Sequence, residues 1–341
     1  MITPCSTYPR RPVTEPAALV TNPLAWDERR VSHPMRFAVI TSRVQDGAAW
    51  RGRARRAEAL GYSSLLMPDH FQDQWAPLVG LTVAAEATTT LRVGTLVFDN
   101  DYRHPVVLAK ELATLDRATE GRVEVGLGAG WKRSDYDEAG IVYDRPGVRI
   151  ARMAEALQIL RALWASDQPV TFEGEHYQVR GAVGTPQPFR SGGPTITIGG
   201  GGRRILSLAA READVVSLNL TLSAGTLGPD VTASATAAAF DEKIGWVREA
   251  AGPRFEAIEL QCHCPFVMVT PDATAVAERM GPAFGVSPAD ALDVPLTLLG
   301  TVDQLCDMVE SRRERYGFTY WVVPDDAMEA FAPVVARLAG R

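Results

Sequence analysis

The sequence predicts an α/β chain folded as a TIM-like (β/α)8 barrel with insertions, on three observations. Short apolar runs alternate with stretches of helical spacing eight times between Met35 and the C-terminus. One of those runs, Leu65-Leu66-Met67, ends abruptly in Pro68-Asp69-His70-Phe71, which puts an acid and an imidazole at the C-terminal mouth of a buried strand. A later run, Pro194-Thr195-Ile196-Thr197-Ile198, passes straight into Gly199-Gly200-Gly201-Gly202 and a helix. An open doubly wound sheet is the competing arrangement, but the first strand–helix junction lacks the spaced glycines of a dinucleotide fold.

Taken in order, Met35-Arg36-Phe37-Ala38-Val39-Ile40 reads as the first strand. Ala48 to Leu60 has helical spacing through Trp50, Ala54 and Ala57, and stops at Gly61, a fitting C-terminal residue. Leu65–Met67 is too short an apolar run for a helix and makes the second strand, followed by a helix over Pro77 to Thr88. Leu91–Phe98 is the third strand. His104-Pro105 opens the next helix, where proline has no donor to lose, and Leu108, Leu112 and Leu115 carry it to Gly121. Val123–Trp131 is the fourth strand and ends in small residues; a polar segment, Lys132 to Val148, precedes a helix over Arg149 to Trp164. Val170–Val179, with Glu173-Gly174-Glu175 at its middle, reads as a β-hairpin excursion outside the barrel. The fifth strand Pro194–Ile198 leads to the helix Arg203–Ala213, and Asp214–Leu220 is the sixth strand. Thr221 to Ser234, rich in Ala, Ser, Thr and Gly, is long enough to serve as a lid. A helix over Ala237–Ala251 leads to a seventh strand around Ile258–Val269, and the last unit is helix Val302–Tyr316, strand Phe318–Val323 and helix Met328–Leu338. Residues 1–34 carry six prolines and no apolar period, and read as a mobile N-terminal extension before a single barrel over 35–341.

Composition narrows the function classes. With 341 residues, 46% hydrophobic and 22% charged, the chain has ample material for one large core. A net charge of -6 and the lack of any basic–aromatic cluster argue against nucleic acid as a partner. Four cysteines in a chain this long make no disulfide framework, and no apolar run is long enough for a membrane span or signal core, so a cytoplasmic protein acting on a small-molecule substrate is expected.

Four stretches offer chemistry. Asp69 and His70 stand together at a strand end, and imidazole is the side chain whose charge changes near physiological pH, which suits a proton shuttle. The bland reading is that the two cap the next helix and bond to each other. Gly199, Gly200, Gly201 and Gly202, followed by Arg203 and Arg204, leave backbone N–H groups and guanidinium donors for a phosphate; a flexible connection with solvated arginines is the other reading. Gly126-Leu127-Gly128-Ala129-Gly130-Trp131 gives room at a strand end for a flat ring, with Trp131 either a wall or, preferably, core. Asp99 and Asn100, after Leu96-Val97-Phe98, fall at the same mouth and are suited to orient a bound ring, whereas Asp101 reads as a solvated turn residue. Cys262-His263-Cys264 makes no metal site, because on a strand the cysteines point one way and the histidine the other. His104 reads as a structural residue at a helix start and His176 as a surface residue of the hairpin.

Together these stretches resemble the luciferase-like monooxygenase superfamily, and within it the branch of F420-dependent oxidoreductases. The landmarks are Met67-Pro68-Asp69-His70-Phe71, Arg103-His104-Pro105, Leu115-Asp116 with Gly121-Arg122, Gly126–Trp131, Ile198–Gly202, Ala209–Asp214 and Arg313–Gly317, in the family's order from Met35 onward. The resemblance implies a bacterial-luciferase-like barrel that holds coenzyme F420 (a reduced deazaflavin) or flavin mononucleotide, FMN, at the C-terminal mouth of the strands. It implies Asp69 and His70 beside the ring as catalytic residues, and a bulge with a non-prolyl cis peptide at Leu96-Val97. It implies ring contacts along Gly128, Ala129 and Gly130, and a phosphate seat at Gly199, Gly200 and Gly201. Sugar-phosphate dehydrogenases of the superfamily carry a glutamate where this chain has Trp131, so the resemblance implies a substrate other than a sugar phosphate. A homodimer and a partner reductase for flavin or F420 are implied as well.

Deazaflavin carries carbon where flavin carries its reactive nitrogen, so the expected reaction is hydride transfer to a polarised C=C or C=N bond, with His70 as proton donor. An FMN monooxygenase fed by a partner reductase is the alternative, and a non-catalytic cofactor-binding protein of the same fold is a third.

Overall fold

The computed structural model describes residues 33–43, 46–222, 225, 231, 233–284 and 287–341. Its strands are β1 (Arg36–Ile40), β2 (Ser64–Met67), β3 (Arg92–Thr95), β4 (Phe98–Asp99), β5 (Val123–Gly128), β6 (Val170–Glu173), β7 (Gln178–Ala182), β8 (Thr195–Gly200), β9 (Val215–Leu218), β10 (Glu259–His263), β11 (Phe266–Val269), β12 (Thr297–Gly300) and β13 (Phe318–Pro324). The helices between them are α1 (Gly47–Ala59), α2 (Pro77–Glu86), α3 (Pro105–Ala118), α4 (Arg133–Ala139), α5 (Pro146–Ala165), α6 (Arg203–Glu212), α7 (Ala237–Ala251), α8 (Ala273–Phe284), α9 (Pro288–Asp293), α10 (Val302–Tyr316) and α11 (Met328–Leu338).

Eight parallel staves close in the order β1-β2-β3-β5-β8-β9-β10-β13 and back to β1. Closure excludes the open doubly wound sheet. The third stave is broken: β3 pairs Gly94 with Glu124, and β4 resumes by pairing Phe98 with Leu127, so it takes one more residue than β5 over that stretch. The Leu96-Val97 peptide within the break is cis. The hairpin β6–β7 stands outside the barrel as an antiparallel pair. The run expected as one seventh strand is two strands. Only β10 is a stave, while β11 leaves the barrel and pairs with β12. The polar segment after β5 contains α4, and α5 begins at Pro146, a residue that fits a first helical turn, ahead of the expected Arg149. Residues 1–32 and most of the segment expected as a lid, 221–234, lie outside the described residues.

Inside the barrel, Ala38, Leu66, Leu96, Val215, Tyr320 and Val322 form the apolar fill. Beneath them, at the N-terminal end of the staves, Glu124 is fully enclosed. It accepts from Arg36 at 2.5 Å, Arg92 at 2.6 Å and the Tyr320 hydroxyl at 2.7 Å. Burial opposes the charge on Glu124, but the guanidinium groups of Arg36 and Arg92 outweigh it and hold the carboxyl down at about 2. The barrel is thus plugged by ion pairs at one end and open at the other. The outer faces of the staves pack against the helices in one continuous core; α1 buries Trp50, Ala54 and Ala57, and the Trp50 indole donates to the Gly80 carbonyl of α2 at 2.7 Å. Each fully buried large apolar side chain there contributes ~1.5–3 kcal/mol.

Candidate active site

The C-terminal ends of the staves surround a cavity of about 470 Å³. Its floor is set by the break in the third stave, where Leu96 and Val97 both line it. The Val97 side chain lies across the neighbouring stave: a Cβ on Gly128 would come within 2.5 Å of Val97 Cγ2. Glycine at that strand end is therefore a condition for seating Val97, a tertiary reason the local sequence does not show.

Asp69 and His70 both border the cavity, but they do not bond to each other. Asp69 takes a two-pronged contact from Arg103, at 2.5 and 3.2 Å, and accepts from the Asp99 backbone N–H at 3.2 Å. His70 Nδ1 meets Asp135 Oδ2 at 2.5 Å, and Asp135 is wholly buried at the start of α4, with Lys132 Nζ 3.6 Å from its other oxygen. A carboxylate on Nδ1 keeps the proton on that nitrogen and leaves Nε2 to act toward the cavity. The Trp131 ring meets the imidazole edge-on, with centroids 5.9 Å apart, and lines the cavity. Trp131 is a wall of the site rather than part of the core.

Asp99 also lines the cavity and Asn100 does not: Asn100 is buried and its side-chain amide donates to the Tyr177 hydroxyl at 3.3 Å. Asp99 Oδ1 accepts from the Asp101 N–H at 2.9 Å and the Tyr136 hydroxyl at 3.0 Å. Burial pushes the Asp99 carboxyl up to about 7; Asp101 and Asp69 nearby add to the rise, and the two donors on Oδ1 limit it. Asp101, expected as a solvated turn residue, is instead enclosed between Tyr136 and Arg152, whose guanidinium lies 2.9 Å away.

Gly128, Ala129 and Gly130 form the wall after β5. The Ala129 carbonyl is held by Arg149, which donates to it at 3.0 Å from α5. Across the mouth, Gly199, Gly200, Gly201 and Gly202 lead into α6, whose first turn has no side-chain cap, so its N–H donors face the cavity rim. A Cβ on Gly201 would strike the Leu220 carbonyl at 2.1 Å, so only glycine lets this loop pass the end of β9. Arg203 borders the cavity but its guanidinium pairs at the surface with Glu249, at 2.9 Å. Arg204 reaches over Gly147 at the cavity edge and makes no ion pair among the described residues. Of the two arginines, Arg204 is the one placed to meet an anion. Beyond β9, Asn219, Leu220, Thr221 and Leu222 close the wall, and the buried Lys243 of α7 donates to the Asn219 carbonyl at 2.8 Å and the Ser234 carbonyl at 2.7 Å. Burial lowers the Lys243 ammonium to about 8.

The remaining candidates lie elsewhere. His104 caps α3, accepting from the Val106 N–H at 3.3 Å, and with His176 borders a separate, smaller cavity. Cys262 and Cys264 have their sulfurs 3.6 Å apart, both against the Pro295 carbonyl, while His263 projects from the other face of β10. Sequence reasoning missed Asp135, Tyr136, Arg103 and Arg149 as parts of the site. All four reach it from loops or helices through contacts that no spacing along the chain encodes.

The family profile described as luciferase-like monooxygenase matches residues 31–334. An F420-dependent glucose-6-phosphate dehydrogenase of Kineococcus radiotolerans is 33% identical over 169 residues, an overlap covering 47% of this chain and 49% of that protein. The match thus spans about half the length of that relative. Among solved structures, the coenzyme F420 dependent tetrahydromethanopterin reductase of Methanopyrus kandleri superposes with a TM-score of 0.70 at 18% identity, covering 90% of this chain and 98% of that one. A riboflavin lyase solved with a modified FMN superposes with a TM-score of 0.71 at 13% identity, covering 90% and 92%. At such identities these structural likenesses speak to the fold alone.

Proposed function

The chain belongs to the luciferase-like monooxygenase family, and on that premise we propose that it is an F420-dependent oxidoreductase that reduces a polarised C=C or C=N bond of a small organic substrate. The observation that carries this reading is one cavity shared by Asp69 and His70, the Leu96-Val97 break, the Gly128–Gly130 wall and the uncapped start of α6.

Those residues fit a flat heterocycle with an anionic tail. Leu96 and Val97 offer an apolar floor, the Gly128–Gly130 wall presents little more than backbone, and the α6 N–H groups with Arg204 suit a phosphate. When bound, reduced deazaflavin supplies hydride. His70, carrying a proton on both ring nitrogens, would supply the matching proton from Nε2 and be left as the Nδ1–H tautomer, and Asp135 holds the ring in the orientation that exposes Nε2. Trp131 stands where, by the resemblance, sugar-phosphate dehydrogenases carry a glutamate, which supports a substrate other than a sugar phosphate.

F420 is preferred over FMN because relatives at 33–35% identity are named for it. The test is to titrate the protein with reduced F420 and reduced FMN, recording affinity and oxygen consumption. Tight F420 binding without oxygen uptake is expected; tight FMN binding with oxygen-dependent turnover and no F420 binding would replace this reading with a flavin monooxygenase.

A further inference from the structure

Asp69 and Asp99 line the cavity, the carboxyls of Asp101 and Asp135 pack behind them, and three of the four face a cationic side chain. Asp69 has Arg103, Asp101 has Arg152, and Asp135 has His70 and Lys132. Asp99 has none among the described residues, though it is 7% exposed and lines the cavity. The groups packed around it are the carboxyls of Asp69 and Asp101, the phenols of Tyr102 and Tyr136, and, one contact further out, Asp135 with its cations. An enclosed carboxylate beside two others and no cation is the costly state, and a neutral acid is the cheap one.

The geometry also says where the proton of a neutral Asp99 belongs. Oδ1 already accepts from the Asp101 N–H, and the Tyr136 hydroxyl lies 3.0 Å from both Oδ1 and Asp101 Oδ2, with one proton shared between them. Oδ2 lies beside Gly130, 2.5 Å from where a Cβ on that residue would stand, on the cavity wall that both residues line, and the Tyr102 hydroxyl on the same wall also bonds to this carboxyl. A proton on Oδ2 makes this atom a donor, and the cavity wall then presents a neutral O–H beside Asp69 rather than a second negative charge.

We propose that Asp99 is a specificity-determining residue that binds the ring as a neutral acid, donating from Oδ2 to a carbonyl oxygen or unprotonated nitrogen on the ring edge. This rests on the reading of the cavity as a deazaflavin or flavin site. It selects heterocycles with an acceptor at the edge facing Gly130, and it ties their binding to a proton. The free acid titrates near 7, so above that pH binding must take up a proton to restore the donor.

The test uses the full chain, oxidised F420 and FMN as probes, and fluorescence titration from about pH 6 to about pH 9. In wild type, affinity for the ring that binds falls up to about tenfold per pH unit above 7, as a required proton demands. Asp99→Asn, which keeps a donor at the Oδ2 position and removes the titration, binds with a flat profile within a few-fold of the wild-type acid limit. Asp99→Leu, which removes the donor, binds roughly tenfold more weakly even at low pH. Calorimetry in two buffers of different ionisation enthalpy, at a pH about one unit above 7, shows close to one more proton taken up by wild type than by Asp99→Asn. Equal affinities and equal proton uptake in wild type and Asp99→Asn across the range would overturn the assignment while leaving the ring site in place. Failure of wild type to bind either ring would overturn the functional reading, and the role of Asp99 with it.

Discussion

Replacing Asp135 by asparagine removes one charge from a fully buried position and leaves the shape of α4 intact. The contact at stake is the 2.5 Å pair between Asp135 Oδ2 and His70 Nδ1. Hydrogen bonds to charged groups contribute ~1.5–3 kcal/mol, and each 1.36 kcal/mol off a barrier is tenfold in rate, so kcat falls roughly ten- to a hundredfold. The asparagine amide can present either its oxygen or its nitrogen to Nδ1, and the tautomer of His70 is no longer fixed. His70→Ala removes the proton donor outright and costs ~10²–10⁴-fold. Ring affinity stays within a few-fold in both variants, because the Gly199–Gly201 loop and the Leu96-Val97 floor are untouched. The assay follows re-oxidation of reduced F420 by its absorbance against activated alkenes and imines, with ring affinity measured separately by fluorescence. Nitrogen NMR of labelled His70 reports the tautomer directly. If Asp135→Asn keeps both the wild-type tautomer and a kcat within twofold while His70→Ala is inactive, Asp135 does not position the imidazole. If His70→Ala turns over normally, the imidazole is not the proton donor.

Other consequences follow from the ion pairs and the close backbone contacts. Glu124, whose carboxyl is held at about 2 against an ordinary 4.5, contributes stability that is complete above pH 4.5 and lost as pH falls toward 2, a difference of ~3 kcal/mol; acid unfolding of Glu124→Gln lacks that component, and parallel acid-unfolding curves for the two proteins would refute it. Lys243 is depressed from 10.5 to about 8, so the folded chain binds fewer protons than the unfolded one between those values, and stability rises by up to ~3 kcal/mol as pH climbs through that window. Denaturant unfolding of wild type relative to Lys243→Met, compared at both ends of the window, checks the sign. Gly201→Ala drives a methyl into the Leu220 carbonyl and costs ~1–3 kcal/mol of stability, with a larger loss of affinity for FMN than for riboflavin, because the displaced loop leads to the α6 phosphate seat. Gly202→Ala, with nothing within 4 Å of the added methyl, serves as the tolerated control.

Much of this molecule is legible along the chain. Period-2 and continuous apolar runs mark the staves, and three helices, Ala237–Ala251, Val302–Tyr316 and Met328–Leu338, begin and end where the spacing puts them. Asp69, His70 and the glycine loop are visible because each sits directly after a strand, and in a parallel barrel the residues after strands share one mouth by construction. The β10–β11 division was not visible, because an apolar strand looks the same whether its neighbour is a stave or the outlying β12.

Local order along the chain thus determined the barrel, the end of it that carries chemistry, and which strand ends hold polar or glycine residues. Partnership was decided only in three dimensions. That Asp69 answers to Arg103 and His70 to Asp135, that Asn100 turns to Tyr177 and Arg203 to Glu249, and that Asp99 faces no cation among the described residues all depend on residues tens of positions apart. The physical reason is that a side chain's charge state and direction are set by the field and the free volume around it. Those are properties of the packed set of staves and helices, whereas periodicity is a property of one segment at a time.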